Sequence, residues 1–519
     1  MSGEPVDFKP RLMLSQPGIQ RDGTRLNQTQ YGDGRWCRFY QGLPRKMNGF
    51  QEQLRTIDGI VRGMDVESYD GYSYVHVGSQ DVLQRYTIQI DANVASGLID
   101  RTPAGFVASE SNNWQFSLVY NTANNSNILL AHAAPNMINI SSTVERPVYY
   151  GEVRDTAPLL PISGSDVSGG ILAMWPYLLR FGNDGEVAWP VPGNLTDLVG
   201  AGSGSARPWG TKIVKGLPLR GTSGPAGLLW ALDAVVRVQF VGGTEIFQFD
   251  TLTTSSALLS SNGVIEHAGV YYWATVSGWS MFNGVIRDLD NETNRQWFLD
   301  NLNWTEHQKI FAFKIPRWQE IWWCFPYGDA TECTHAVIYN YVKNLWYDTE
   351  LMPQGASAGV YEQIYHFPIV ATTALNVDTN GRSMLQFDVG LDEVSGSPPT
   401  SKAIPSHFET CEFNLLENGQ IGADGLDRRM SFAYLEPDYD QIGDLEFTIN
   451  TRMNARAQRN STGPITIPAE PTGTQQLVKR KLSGRLTSFK IESNQLGGFY
   501  QAGAPLIHWQ PSDGRREGG

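Results

Sequence analysis

The chain has 519 residues, 41% of them hydrophobic and 18% charged. Its 15 Trp, 21 Tyr and 22 Phe stand among 53 Gly and 28 Pro. That mixture excludes wholesale disorder and supports roughly two to four packed domains. The formal net charge of −13 makes the chain a poor candidate for gripping DNA phosphates by counterion release. It suits a plain acidic soluble protein, or a wall that DNA slides past.

The start, MSGEPVDFKPRLMLSQPG, has no apolar core of signal-peptide type. Residues 1–34 are polar and turn-rich, and are expected to form an arm laid over a surface. Next comes RWCRFYQGLPRKMNGF at 35–50: a strand, a break at Gly42 to Pro44, two basic residues, then Gly49-Phe50. Nothing in it is catalytic.

Short strands separated by turns then recur. SYVHVGS at 73–79 is followed by VLQRYTIQI at 82–90. Residues 116–140 read as two strands around a turn at Ala123 to Ser126. Residues 171–192 repeat the scheme with Asn183-Asp184-Gly185 as the turn. Residues 227–252 give three strands broken at Asp233 and Gly242-Gly243, and 269–290 give three more. Residues 307–351 give four, at about 308–315, 319–326, 335–341 and 344–350. DNETNRQWFLDNLN at 290–303 breaks the pattern as a short helix with Asp and Asn as N-caps, and Trp297, Phe298 and Leu302 on one face.

Sets of three or four antiparallel strands at intervals of about 40 to 50 residues point to a β-propeller. There is no Gly-His…Trp-Asp repeat signature. The expected fold is all-β: an N-terminal arm at 1–34, a propeller of six or seven blades at 35–406, and a β-sandwich-like domain at 407–519. The Ser/Pro/Gly-rich stretch 389–406 reads as a linker. A set of stacked β-sandwiches is the alternative.

Motifs of chemistry are sparse. Cys37, Cys324, Cys333 and Cys411 form no C-x-x-C pair. Cys324 and Cys333 could face each other across a hairpin, but the expectation is small, buried, reduced residues. Asp288, Asp290 and Glu292 alternate as in a Ca²⁺ loop, without the glycine and distal glutamate such a loop needs, so a capping turn is expected. Gly202 and Gly204 belong to no phosphate-binding motif and read as an interblade loop. His76 and His366 are placed in strands and expected to be packed. Lys479, Arg480, Lys481 and Arg485 form the densest basic run, a solvated face or a dock for an acidic neighbour. No catalytic, cofactor-binding or metal site is expected, and no helix that crosses a membrane.

The stretch at 35–50, with PGIQRDGT at 17–24 before it, resembles the tail nozzle, needle-hub or "stabilisation" proteins of short-tailed bacteriophages. RGMDVESYDGYSYVHVGSQDVLQRY at 62–86 is similar to that family's next element. LPLRGTSGPAGLLWALDAVVRVQFVGG at 217–243 and EIWWCFPYGDATECTHAVIYNYVKNLW at 320–346 carry the most specific likeness, and GRLTSFKIESNQLGGFYQAG also fits. The resemblance implies a non-enzymatic structural protein of the virion tail, made in the bacterial host cytoplasm. It implies a β-propeller assembled as a homohexameric ring around the DNA exit channel. Partners would be the portal and adaptor ring above, tail fibres, spikes or a needle below, and passing double-stranded DNA without sequence-specific binding. In this view residues 35–50 anchor the arm and open the propeller's first strand. The rival readings are a propeller glycosidase or lyase acting on host surface polysaccharide, which needs an acidic cluster in the central channel, and a glycan-binding module.

Overall fold

The computed structural model describes residues 9–12, 15–92, 94–121, 126–135, 144–222, 224–243, 245–414, 429–469 and 478–512. Seven four-stranded antiparallel units follow one another along the chain. Blades 1 to 6 span 61–100, 112–161, 170–206, 213–253, 264–289 and 311–350. Blade 7 takes three strands from 356–387 and its fourth, Phe50–Ile57, from near the start of the chain. The strands expected in 73–90, 171–192, 227–252, 269–290 and 307–351 are all present. The turn expected at 123–126 falls almost wholly outside the described residues.

Aromatic and aliphatic side chains on both faces of each blade explain the ring. A separate apolar cluster fills each interface: Leu83 with Trp114, Leu130 with Ile171, Phe181 with Leu229, Trp230 with Trp273, Trp279 with Trp323, Phe313 with Phe387, and Ile369 with Val75. The last joins blade 7 to blade 1, so the ring is closed. Trp230 and Trp273 meet edge-on at 5.7 Å, and Phe313 and Phe387 at 5.6 Å. Such pairs add to the burial of large rings.

The C-terminal unit is three sheets around a core shared with blades 6 and 7. Here the expected domain limits change. Lys9–Leu12 pairs with Leu506–Ser512, and Asp33–Arg35 pairs with Ser406–Glu409. Cys37–Tyr40 and Leu43–Lys46 form a hairpin on Phe499–Ala502. Residues 35–46 therefore belong to the C-terminal unit, and the propeller's own first strand starts at Phe50. The segment 15–34 is not merely laid on a surface, since Ile19 and Tyr31 sit in the core. Nor is 389–406 a free linker. Glu393–Ser395 pairs in parallel with Phe50–Ile57, and Thr400–Lys402 pairs with it in turn, extending blade 7. The reason is common to all these cases. A short strand shows its period locally, but its partner is chosen by which distant apolar face it can cover.

The helix is Arg295–Asn301. Neither of the expected caps, Asp290 and Asn291, accepts from the helix: Asn291 Oδ1 accepts from the backbone N–H groups of Thr293 and Asn294, both at 3.1 Å, and it is Asp22 that accepts from those of Gln296 and Trp297, both at 2.8 Å. Among the described residues no helix is long and apolar enough to cross a membrane.

Candidate functional site: the seam and the central channel

The passage 36–57 completes a sheet of the C-terminal unit and, a few residues later, closes the propeller. Two features of the sequence make this possible. Gln41 and Gly42 both have positive φ (53° and 84°), the geometry of a two-residue hairpin turn. Gly49 lets the chain lie against the backbone of Asp392, where a Cβ would collide with that residue's carbonyl oxygen. Its N–H donates to Gly390 O at 3.0 Å.

At the centre of the seam Arg38 is fully buried. Its guanidinium lies 2.8 Å from Asp388 and 3.0 Å from Glu320, and stacks over Trp318 at 4.6 Å. Trp318 donates its indole N–H to Asp388 at 2.7 Å. Trp322 and Tyr347 donate to Glu320, each at 2.8 Å. Burial works against the charge on Arg38, and the two carboxylates more than restore it. Burial raises the Glu320 carboxyl above its ordinary value, with Arg38 opposing. A second staple lies beside it. Arg21 bridges Asp33 at 2.6 Å and Asp348 at 2.8 Å. Burial alone would raise Asp33, but His407 and Arg21 hold it well below the usual carboxylate range.

A cavity of about 210 Å³ lies between the inner strands at the propeller's centre. Amide hydrogen bonds tie blades together beside it. Asn262, in the turn leading into blade 5, donates to Arg62 O at 2.8 Å and to Asn113 Oδ1 at 2.9 Å. Arg62 in turn holds Glu332 by two bonds of 2.9 and 2.6 Å. Within the cavity Asp65 and Lys215 face one another without an ion-pair contact among the described residues. Burial, with Glu362 and Glu67 adding to it, pushes Asp65 up to about 7 while Lys215 pulls back. Burial lowers Lys215 to about 8, with Asp65 opposing. Sequence reasoning missed both. Their only signal was a charged residue on the first strand of a four-strand set.

The residues singled out from sequence fall elsewhere. Asp288 accepts from Ser280 at 2.9 Å on blade 5. Among the described residues no three His, Cys, Asp or Glu side chains gather as a metal site. All four cysteines are buried and free, and Cys333 Sγ donates to the carbonyls of Lys309 and Cys324. His76 is packed in its strand, as expected. His366 is not in a strand: it is exposed in a turn, with φ of 62°. Lys479 is exposed on the strand Val478–Gly484, and the side chains of Arg480 and Lys481 lie outside the described residues.

Compared with known proteins, the chain matches no family model and no curated protein.

Proposed function

We propose that this chain is a structural protein of a short-tailed phage virion, a protomer of the homohexameric nozzle or hub ring below the portal and adaptor. The carrying observation is the seam. One chain passage closes both units, and a buried Arg38–Glu320–Asp388 cluster pins it. A two-unit protein built this way resists hinge motion between its parts, which suits a wall under internal DNA pressure. The inner strands Val61–Tyr69, Asn112–Asn121 and Phe311–Ile315 supply side chains to one shared cavity at the propeller's centre. In this reading DNA passes through the lumen shared by the copies, not through any one propeller. Fibres, spikes or a needle would attach below.

Native mass measurement and negative-stain imaging of the purified chain, alone and with tail-less particles, test this reading. A sixfold ring with a central hole, or rescue of particles that leak DNA, supports it. A stable monomer that ignores particles overturns it.

One observation favours a second reading. Asp65 faces the channel with its carboxyl raised to about 7, the range of a general acid or base. A propeller glycosidase or lyase would need such a group. Absence of cleavage across a panel of polysaccharides removes it.

A further inference from the structure

Blades 2 and 3 leave a cleft of about 420 Å³ between them, within the volume range of small-ligand sites. Its floor is apolar, with Val119 and Ile128. One wall is Tyr150, Glu152 and Asp155 of blade 2; the other is Trp175 and the loop at Asn194 of blade 3. We propose that this cleft binds a neutral oligosaccharide, with Trp175 as the stacking platform.

Trp175 occupies the turn between Gly170–Met174 and Tyr177–Phe181 and is 40% exposed. Most tryptophans here fill blade interfaces, so a wide ring held out in a turn needs another reason. The turn is braced: Gly193 donates its N–H to Pro176 O at 2.8 Å, which ties the Asn194 loop to it. A pyranose ring offers what such a wall accepts, apolar C–H faces over an aromatic ring and hydroxyls around its edge.

The edge partners are present and free. Asn194 Oδ1 accepts from Thr196 Oγ1 at 3.1 Å, which orients the amide and leaves Nδ2 without a partner among the described residues. Asp155 Oδ1 accepts from the backbone N–H groups of Thr156 at 2.7 Å and Ala157 at 3.2 Å, leaving Oδ2 free. Tyr150 Oη has no hydrogen bond among the described residues. Amide donor, carboxylate acceptor and phenol together match the donor-and-acceptor character of sugar hydroxyls. Charge narrows the class. Among the described residues the lining holds two carboxylates and no lysine or arginine, Arg85 and Arg101 acting on Asp155 only from outside it, and this disfavours uronic and sialic acids relative to neutral sugars. The inference does not rest on ring assembly, because the cleft belongs to a single chain.

The test is titration calorimetry and saturation-transfer NMR on the full chain. The probes are tri- to hexasaccharides of glucose, galactose, mannose and N-acetylglucosamine, each at millimolar concentration. The expected result is saturable binding to one of them, weakened about tenfold or more by Trp175→Ala at unchanged melting temperature. Asn194→Ala is expected to weaken it as well. Should Trp175→Ala lower the melting temperature, Trp175→Phe and Asn194→Ala serve in its place. No binding by any probe overturns the proposal. Binding that survives both substitutions overturns it too, because the sugar then sits elsewhere. Binding of choline or trimethyl-lysine with none of the sugars would make the cleft a cation cage and also overturn it.

Discussion

Arg38 and Asp388 stand 350 positions apart in sequence and 2.8 Å apart in space, both inaccessible to solvent. With Glu320 they put one cation and two carboxylates where water cannot reach. Removing the cation leaves two buried acids with only indole and phenol donors. Arg38→Met is expected to cost about 3–5 kcal/mol or more, read as a lower denaturant midpoint. Arg38→Met combined with Glu320→Gln and Asp388→Asn is expected to recover part of that loss. A single substitution that leaves stability unchanged would show that the cluster does not pin the seam.

Asp22 caps a helix it does not belong to. Asp22→Ala removes the acceptor for the N–H groups of Gln296 and Trp297. The expected cost is about 1 kcal/mol. Because Asp22 lies in the N-terminal segment, limited proteolysis between residues 20 and 30 is expected to quicken at the same time. Unchanged proteolysis would mean that Arg21 and the buried Ile19 and Tyr31 hold the segment down without the cap.

Gly49→Ala tests the close approach to Asp392. The added methyl cannot be accommodated without moving backbone, since what it meets is a carbonyl and not a flexible side chain. A loss of about 1–3 kcal/mol or more is expected, with amide exchange in Phe50–Ile57 accelerated first.

Buried histidines set an acid limb. Burial, with Arg146 and Lys212 nearby, lowers His132 to about 4, although its Nδ1 lies 3.3 Å from the Pro147 carbonyl. In the unfolded chain it protonates near 6.5, so unfolding takes up a proton between those values. Its contribution is complete above about pH 6.5 and is lost as pH falls toward 4, by about 1.4 kcal/mol per pH unit. Asp65 acts with the opposite sign, since a raised carboxyl favours the folded state as pH falls below about 7. Comparison of variants separates the two. His132→Gln is expected to flatten the stability loss between pH 6.5 and 5 relative to the parent, and Asp65→Asn to stabilise more at pH 8 than at pH 5. Parallel pH profiles would show that neither group titrates as described.

The four thiols are expected to be inert in the folded protein. Burial raises all of them, Cys37 to about 12. Native protein is expected to take up almost no thiol reagent at pH 8, and four equivalents after denaturation. Prompt labelling of even one would place that cysteine at a surface.

The all-β class, the strands and turns within 73–90, 171–192, 227–252, 269–290 and 307–351, and the place of the helix were legible in the chain's own pattern. Those features rest on period-2 alternation and turn residues, which are local. Only packing in three dimensions shows that residues 35–46 complete the C-terminal unit, that Phe50–Ile57 closes blade 7, and that 393–402 extends it. It also decided that Asp22, far from residue 295, supplies the helix cap. Each is a choice of partner across a long stretch of chain, made by burying an apolar face or satisfying a backbone group no neighbour can reach. The candidate sites were illegible for the same reason. Asp65 and Lys215 line one cavity only because inner strands of different blades converge, and Trp175 and Tyr150 line one cleft only because two blades stand side by side.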